Sequence, residues 1–111
     1  MSERYTVKIT PQAQKQVKEI VDYIRYTLQS PATAVKMQDT FESEIASLSV
    51  FPARIPIVEE TPWHNQGIHK LSVKNYLIYF WINDAEKVVE IIGVVYGRRD
   101  QRHQLFKMDL S

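Results

Sequence analysis

The run Tyr76-Leu77-Ile78-Tyr79-Phe80-Trp81-Ile82 carries no charged or amide side chain at any position. A β-strand sends alternate side chains to opposite faces, so a run that is apolar at every step has to be covered on both. A strand of this kind belongs inside a sheet, with neighbours on either edge and packing above and below. Turn-like residues bracket it, Lys74-Asn75 on one side and Asn83-Asp84-Ala85-Glu86 on the other. Strand-like segments lie beyond these turns, at about 67 to 73 and 87 to 96, and the short joints make the three a meander.

The material that covers this sheet is written earlier in the chain. Tyr5-Thr6-Val7-Lys8-Ile9-Thr10 alternates apolar and polar residues, as a half-buried strand does. Thr10-Pro11 then reads as an N-cap with proline in the first helical position. Val17, Ile20, Val21, Ile24 and Leu28 recur at steps of three and four and predict one helix from Gln12 to about Gln29. Ser30-Pro31 repeats the device, and Ala34, Met37, Phe41, Ile45 and Leu48 predict a second helix from Ala32 to about Val50. The outward faces of this hairpin show no large apolar patch. Residues 52 to 66 hold three prolines and little periodicity, which predicts a loop anchored by Trp63. The order is βααβββ: a single α+β domain over residues 1–111, its helical hairpin packed on an antiparallel-meander sheet.

Composition narrows the function classes. The chain has no cysteine, hence no disulfide framework and no thiolate zinc site. His64, His69 and His103 lack helical metal-ligand spacing, so neither a metal nor a cofactor is expected. No apolar run approaches membrane-spanning length, and Met1 to Thr10 has no signal-peptide core, which reads as cytoplasmic. The net charge of +1 conceals a division. From Gln12 to Glu60 five Lys/Arg face seven Asp/Glu, whereas from Gly67 to Lys107 seven face four. The basic half is the candidate polyanion face.

Its densest part follows the last strand, in Gly97-Arg98-Arg99-Asp100-Gln101-Arg102-His103. Guanidinium groups pair with phosphate oxygens through a planar fork, and a histidine moves protons at neutral pH. Lys70 and Lys74 add positive charge around the preceding hairpin. If the two segments lie side by side in the sheet, Lys70, Lys74, Arg98, Arg99 and Arg102 form one surface for RNA or another polyanion.

The strand, the helical hairpin ending in Ser47-Leu48-Ser49-Val50-Phe51-Pro52, then Gly67-Ile68-His69-Lys70-Leu71, Asn75-Tyr76-Leu77-Ile78-Tyr79 and Gly97-Arg98-Arg99-Asp100 together resemble the RelE/ParE superfamily. These are toxins of bacterial type II toxin–antitoxin modules. The resemblance implies a growth-inhibiting protein held inactive by a cognate antitoxin. RelE-like members cut messenger RNA on the ribosome, and ParE-like members inhibit DNA gyrase. On a RelE-like reading the catalytic residues are Arg99, Lys70 and His103, with Tyr76 or Tyr79 as alternative proton carriers. Two departures weigh against it: Leu77 and Leu105 stand where RelE carries an arginine and a tyrosine. The ParE-like reading requires no catalytic set and is preferred. A third reading, outside the resemblance, is a nucleic-acid-binding domain without toxicity.

Overall fold

Thr10 decides where strand gives way to helix. In the computed structural model, which describes residues 4–97, β1 (Thr6–Ile9) is followed by α1 (Pro11–Asp22). The Thr10 hydroxyl accepts from the Ala13 N–H at 3.2 Å and donates to the Ile91 carbonyl at 2.9 Å. One side chain thus caps α1 and ties its start to the last strand.

The far end of α1 widens into a π turn, Tyr23–Thr27, in which the Leu28 N–H reaches back to the Tyr23 carbonyl at 3.0 Å. A π turn holds more residues than an α turn, so the phase of the helix slips. Sequence periodicity assigns Leu28 to the buried stripe, but the slip rotates it outward and leaves it 54% exposed. Gln29, at φ +52°, then reverses the chain into α2 (Pro31–Ala46). Ser30 does not cap α2 as expected. Its backbone (φ −126°, ψ 72°) is not that of a capping residue, and its hydroxyl donates to the Leu28 carbonyl. The α2 stripe is buried as the sequence predicts: Ala34, Met37, Phe41 and Ile45, continued by Leu48 in a short 3₁₀ turn, Ser47–Ser49.

The three later strands, β2 (His69–Val73), β3 (Tyr76–Asn83) and β4 (Val88–Tyr96), form the expected antiparallel meander. The sheet order is β1-β4-β3-β2, and β1 joins by pairing parallel with β4. The complete sheet is therefore mixed, and β3 shares its centre with β4. Tyr79 faces Gly93 while Phe80 faces Ile91, so Ile92 is an extra residue in β4. The extra residue shifts the alternation by one, so that Val89 and Ile91 before it and Val94 after it all face the helices. Ile91 packs with Ile78, Phe80, Val89 and Val94 beneath the helices, whereas Ile92 joins the other side.

The second face is also apolar: Leu77, Tyr79, Ile92 and Val95 pack with Val58 and Ile68, and Trp63 closes the margin. The cover is the segment predicted as a loop, which contains two 3₁₀ turns, Pro52–Arg54 and His64–Gln66. Two histidines pin it. His64 Nδ1 lies 2.8 Å from the Val58 carbonyl, and His69 Nδ1 lies 2.7 Å from the Ile55 carbonyl. A carbonyl can only accept, so each Nδ1 carries a proton. The His69 ring also stacks on Phe80, with centroids 5.0 Å apart. Among the described residues no helix is long and apolar enough to cross a membrane.

Candidate functional site

The end of β4 meets the β2–β3 hairpin. The Gly97 N–H donates to the Asn75 carbonyl at 2.7 Å, bringing the residue before Arg98 against the Lys74-Asn75 turn. Gly97 is needed here for space. A Cβ at this position would stand 3.0 Å from Leu77 Cγ and 3.2 Å from the Asn75 carbonyl oxygen. Lys74 is exposed and holds φ +56°, a conformation that side-chain-bearing residues adopt at a cost. Behind the turn the Tyr76 ring contacts Tyr96 and meets Phe41 edge-on, both at 5.5 Å between centroids, so the aromatic residues here serve the core. Arg98, Arg99, Arg102, His103 and Leu105 lie outside the described residues.

Lys70 is elsewhere. β2 and β4 are separated by β3, and Lys70 pairs across the ladder with Tyr79, four residues along β2 from Lys74. At about 3.3 Å per residue that is roughly 13 Å along the strand. Lys70 is half-buried at the open margin of the outer face, lining a groove together with Glu59 and Glu60. The structure thus brings Lys74 to the strand exit and sets Lys70 apart, among carboxylates.

The outer face is closed where a polyanion surface was sought. Leu77 is 6% exposed within the apolar cluster. Tyr79 is fully buried, and its phenol is pushed up to about 12 by burial, with the Glu60 carboxylate adding to the shift. A phenol so held keeps its proton at neutral pH and is unsuited to act as a base. The Tyr76 phenol is also raised, chiefly by burial. Among the described residues no group of three His, Asp or Glu is placed to hold a metal ion.

Sequence reasoning missed a groove on the opposite side of the strand exit. Gln16, Glu19, Ile20 and Tyr23 of the first helix face Val94–Tyr96 across a space of about 640 Å³, with Leu28 at one end. Tyr23 is 54% exposed and Tyr26 is more so. The only available signal was the density of tyrosines around residue 25. Strict helical periodicity disguised it by placing Leu28 in the core.

The comparisons with known proteins agree with this architecture. A family model described as "ParE toxin of type II toxin-antitoxin system, parDE" matches residues 7–101. The chromosomal ParDE toxin–antitoxin system of P. aeruginosa contains a similar chain, with a TM-score of 0.69 and 18% identity over 84% of this chain and 96% of that one. The RelBE2 toxin–antitoxin complex of Mycobacterium tuberculosis gives 0.60 and 19% over 85% and 92%. A mutant of E. coli RelE in the free state gives 0.59 and 12% over 91% and 92%. At these identities the likeness is one of fold. No curated protein matches the sequence.

Proposed function

Because this chain belongs to the ParE toxin family of type II toxin–antitoxin systems, we propose that it arrests growth by poisoning DNA gyrase in the cytoplasm, without covalent catalysis, and that a cognate antitoxin holds it inactive. The observation that carries this reading is the closed outer face. RNA cleavage needs groups that stabilise an anionic phosphorane and move protons, set around an accessible phosphate. The position where RelE carries an arginine is Leu77, buried in the apolar cluster, and the adjacent Tyr79 phenol is sealed beside it. A leucine neither neutralises a phosphorane nor transfers a proton. The loss of one oxyanion-type donor typically costs about 10²–10³ in rate.

In this reading Arg98 and Arg99, with Lys74 and Arg102, form the polyanion contact at the strand exit, and Lys70 contributes from the margin of the sheet. The test adds purified chain to gyrase and relaxed plasmid, and separately to ribosomes programmed with messenger RNA. Inhibited supercoiling or accumulated gyrase–DNA cleavage complexes are expected, with the messenger left intact. Joint replacement of Arg98 and Arg99 by alanine should abolish growth arrest while changing stability by no more than about 0.5 kcal/mol. Rapid A-site cleavage that disappears on Arg99→Ala would overturn the proposal in favour of a ribonuclease using Arg99, Lys70 and His103.

A further inference from the structure

A groove of about 670 Å³ separates α2 from the β2–β3 hairpin. Thr33, Lys36 and Thr40 line it from α2, and Lys74 and Asn75 line it from the hairpin. It borders the strand exit, because the Asn75 carbonyl is the group that accepts from the Gly97 N–H. Lys36 belongs to the half of the chain with more carboxylates than cations, yet the fold sets it across this groove from Lys74.

Among the described residues the fold makes no use of either ammonium. The lysines of α1 differ: Lys15 and Lys18 pair with Glu19 and Asp22 one turn on. One turn beyond Lys36 stands Thr40, whose hydroxyl donates to the Lys36 carbonyl at 2.9 Å. The Lys36 side chain is left exposed, without that support. Lys74 holds φ +56°, where a side chain carries a cost that glycine avoids. Lys87 has the same angle, but its ammonium lies 5.2 Å from the centre of the Tyr5 ring and so serves the fold. A strained backbone position kept by a cation with no partner among the described residues points to a role outside the fold.

We propose that this groove carries the phosphodiester backbone of a nucleic-acid strand between Lys36 and Lys74, which makes Lys36 a further residue of the polyanion contact. The assignment rests on the polyanion contact in the reading above. Two cations facing one groove repel each other until an anion enters, and a groove focuses their field on it. Lysine meets phosphate as a point charge, and Thr33 and Asn75 add the neutral donors that help position a backbone. A run of phosphates is also the ligand suited to Arg98 and Arg99, which follow Gly97 at the rim. Asp39, on the same groove, opposes any anion and supplies a control of opposite sign.

The test follows binding of the full chain to a short fluorescein-labelled DNA duplex by anisotropy as KCl is raised. Lys36→Ala and Lys74→Ala should each weaken binding at low salt at least about threefold and lower the salt slope by about 1. Lys36→Arg should stay within about twofold of wild type, and Asp39→Asn should bind more tightly. Lys18→Ala, which removes a cation paired with Asp22, should change neither affinity nor slope. A Lys36→Ala variant that binds like wild type overturns the proposal, as does one that loses no more than Lys18→Ala, since net charge alone then explains the loss. In the free chain the Lys36 amine should be acetylated about as fast as that of Lys15, and more slowly once DNA is bound. A Lys36 amine already protected in the free chain shows that the chain fills its own groove and overturns the proposal as well. A chain that inhibits gyrase without affinity for the duplex overturns the groove alone. A chain that binds the duplex through Lys36 and Lys74 but leaves gyrase active overturns the gyrase reading while supporting the groove.

Discussion

Tyr79 shows how a single residue reports on its surroundings. Its hydroxyl is buried with no hydrogen-bond partner among the described residues, while its ring is part of the outer cluster. Leaving such a group unpaired costs about 1–3 kcal/mol, so Tyr79→Phe should raise stability at neutral pH by about 1 kcal/mol, measurable by chemical denaturation. The same burial makes stability depend on alkaline pH. The folded-state value of about 12 lies above the ordinary 10.0, so the unfolded chain releases the proton first. The contribution is intact below pH 10 and is lost as pH rises through about 12; at about 1.36 kcal/mol per unit the loss reaches roughly 3 kcal/mol. Tyr79→Phe should flatten this decline without abolishing it, because Tyr5, through its hydrogen bond to Asp84, and Tyr76, through burial, are shifted in the same direction. Phe51 makes a different expectation. It is 65% exposed at φ +44°, a backbone region that suits glycine. Phe51→Gly sacrifices little burial and relieves a strain of about 1–2 kcal/mol, partly offset by glycine's greater freedom in the unfolded chain. The melting temperature should rise by a few degrees, and a fall would show that the exposed ring packs in solution.

At the scale of elements, the two Ser/Thr-Pro junctions look alike in sequence and differ in structure. Thr10 caps its helix and bonds to β4, whereas Ser30 does neither for α2. Thr10→Ala should therefore cost about 1–2 kcal/mol, and Ser30→Ala less than about 0.5 kcal/mol, by thermal or urea unfolding. The contrast marks what local sequence conveys. The α2 stripe, the meander and the doubly covered β3 were legible because each repeats a local period over many residues. Leu28 was not, because a π turn breaks the period without leaving a signature in residue type. The parallel union of β1 with β4 has no local mark at all. For the site, Lys74 at the hairpin and its closeness to Gly97 followed from strand order. The separation of Lys70 did not, because a charge count carries no information on which strand lies between two lysines. The cover over Leu77 was hidden in a proline-rich segment whose only apolar landmark was Trp63.

The whole molecule is a sheet packed on both faces, and this limits how the fold can be repurposed. Installing an arginine at the position where RelE has one would bury a charge among Val58, Ile68, Tyr79, Ile92 and Val95. Leu77→Arg should destabilise the protein by about 3 kcal/mol or more without conferring messenger cleavage. A stable, cleaving variant would show that the segment over this face lifts easily. The parallel pairing of β1 with β4 has a consequence in time. Thr10 and Ile91 are joined across a sequence separation of 81, so the first strand pairs with β4, its partner among the described residues, after nearly all of the described chain exists. Closing a loop of that length carries an entropic cost of roughly 4 kcal/mol by the logarithmic rule, which places this union late in folding. During synthesis the β1 edge waits unpaired until residues 88–96 clear the ribosome. A nascent toxin should thus remain harmless to the cell that is making it until β4 emerges, an interval in which an antitoxin already present needs only to arrive.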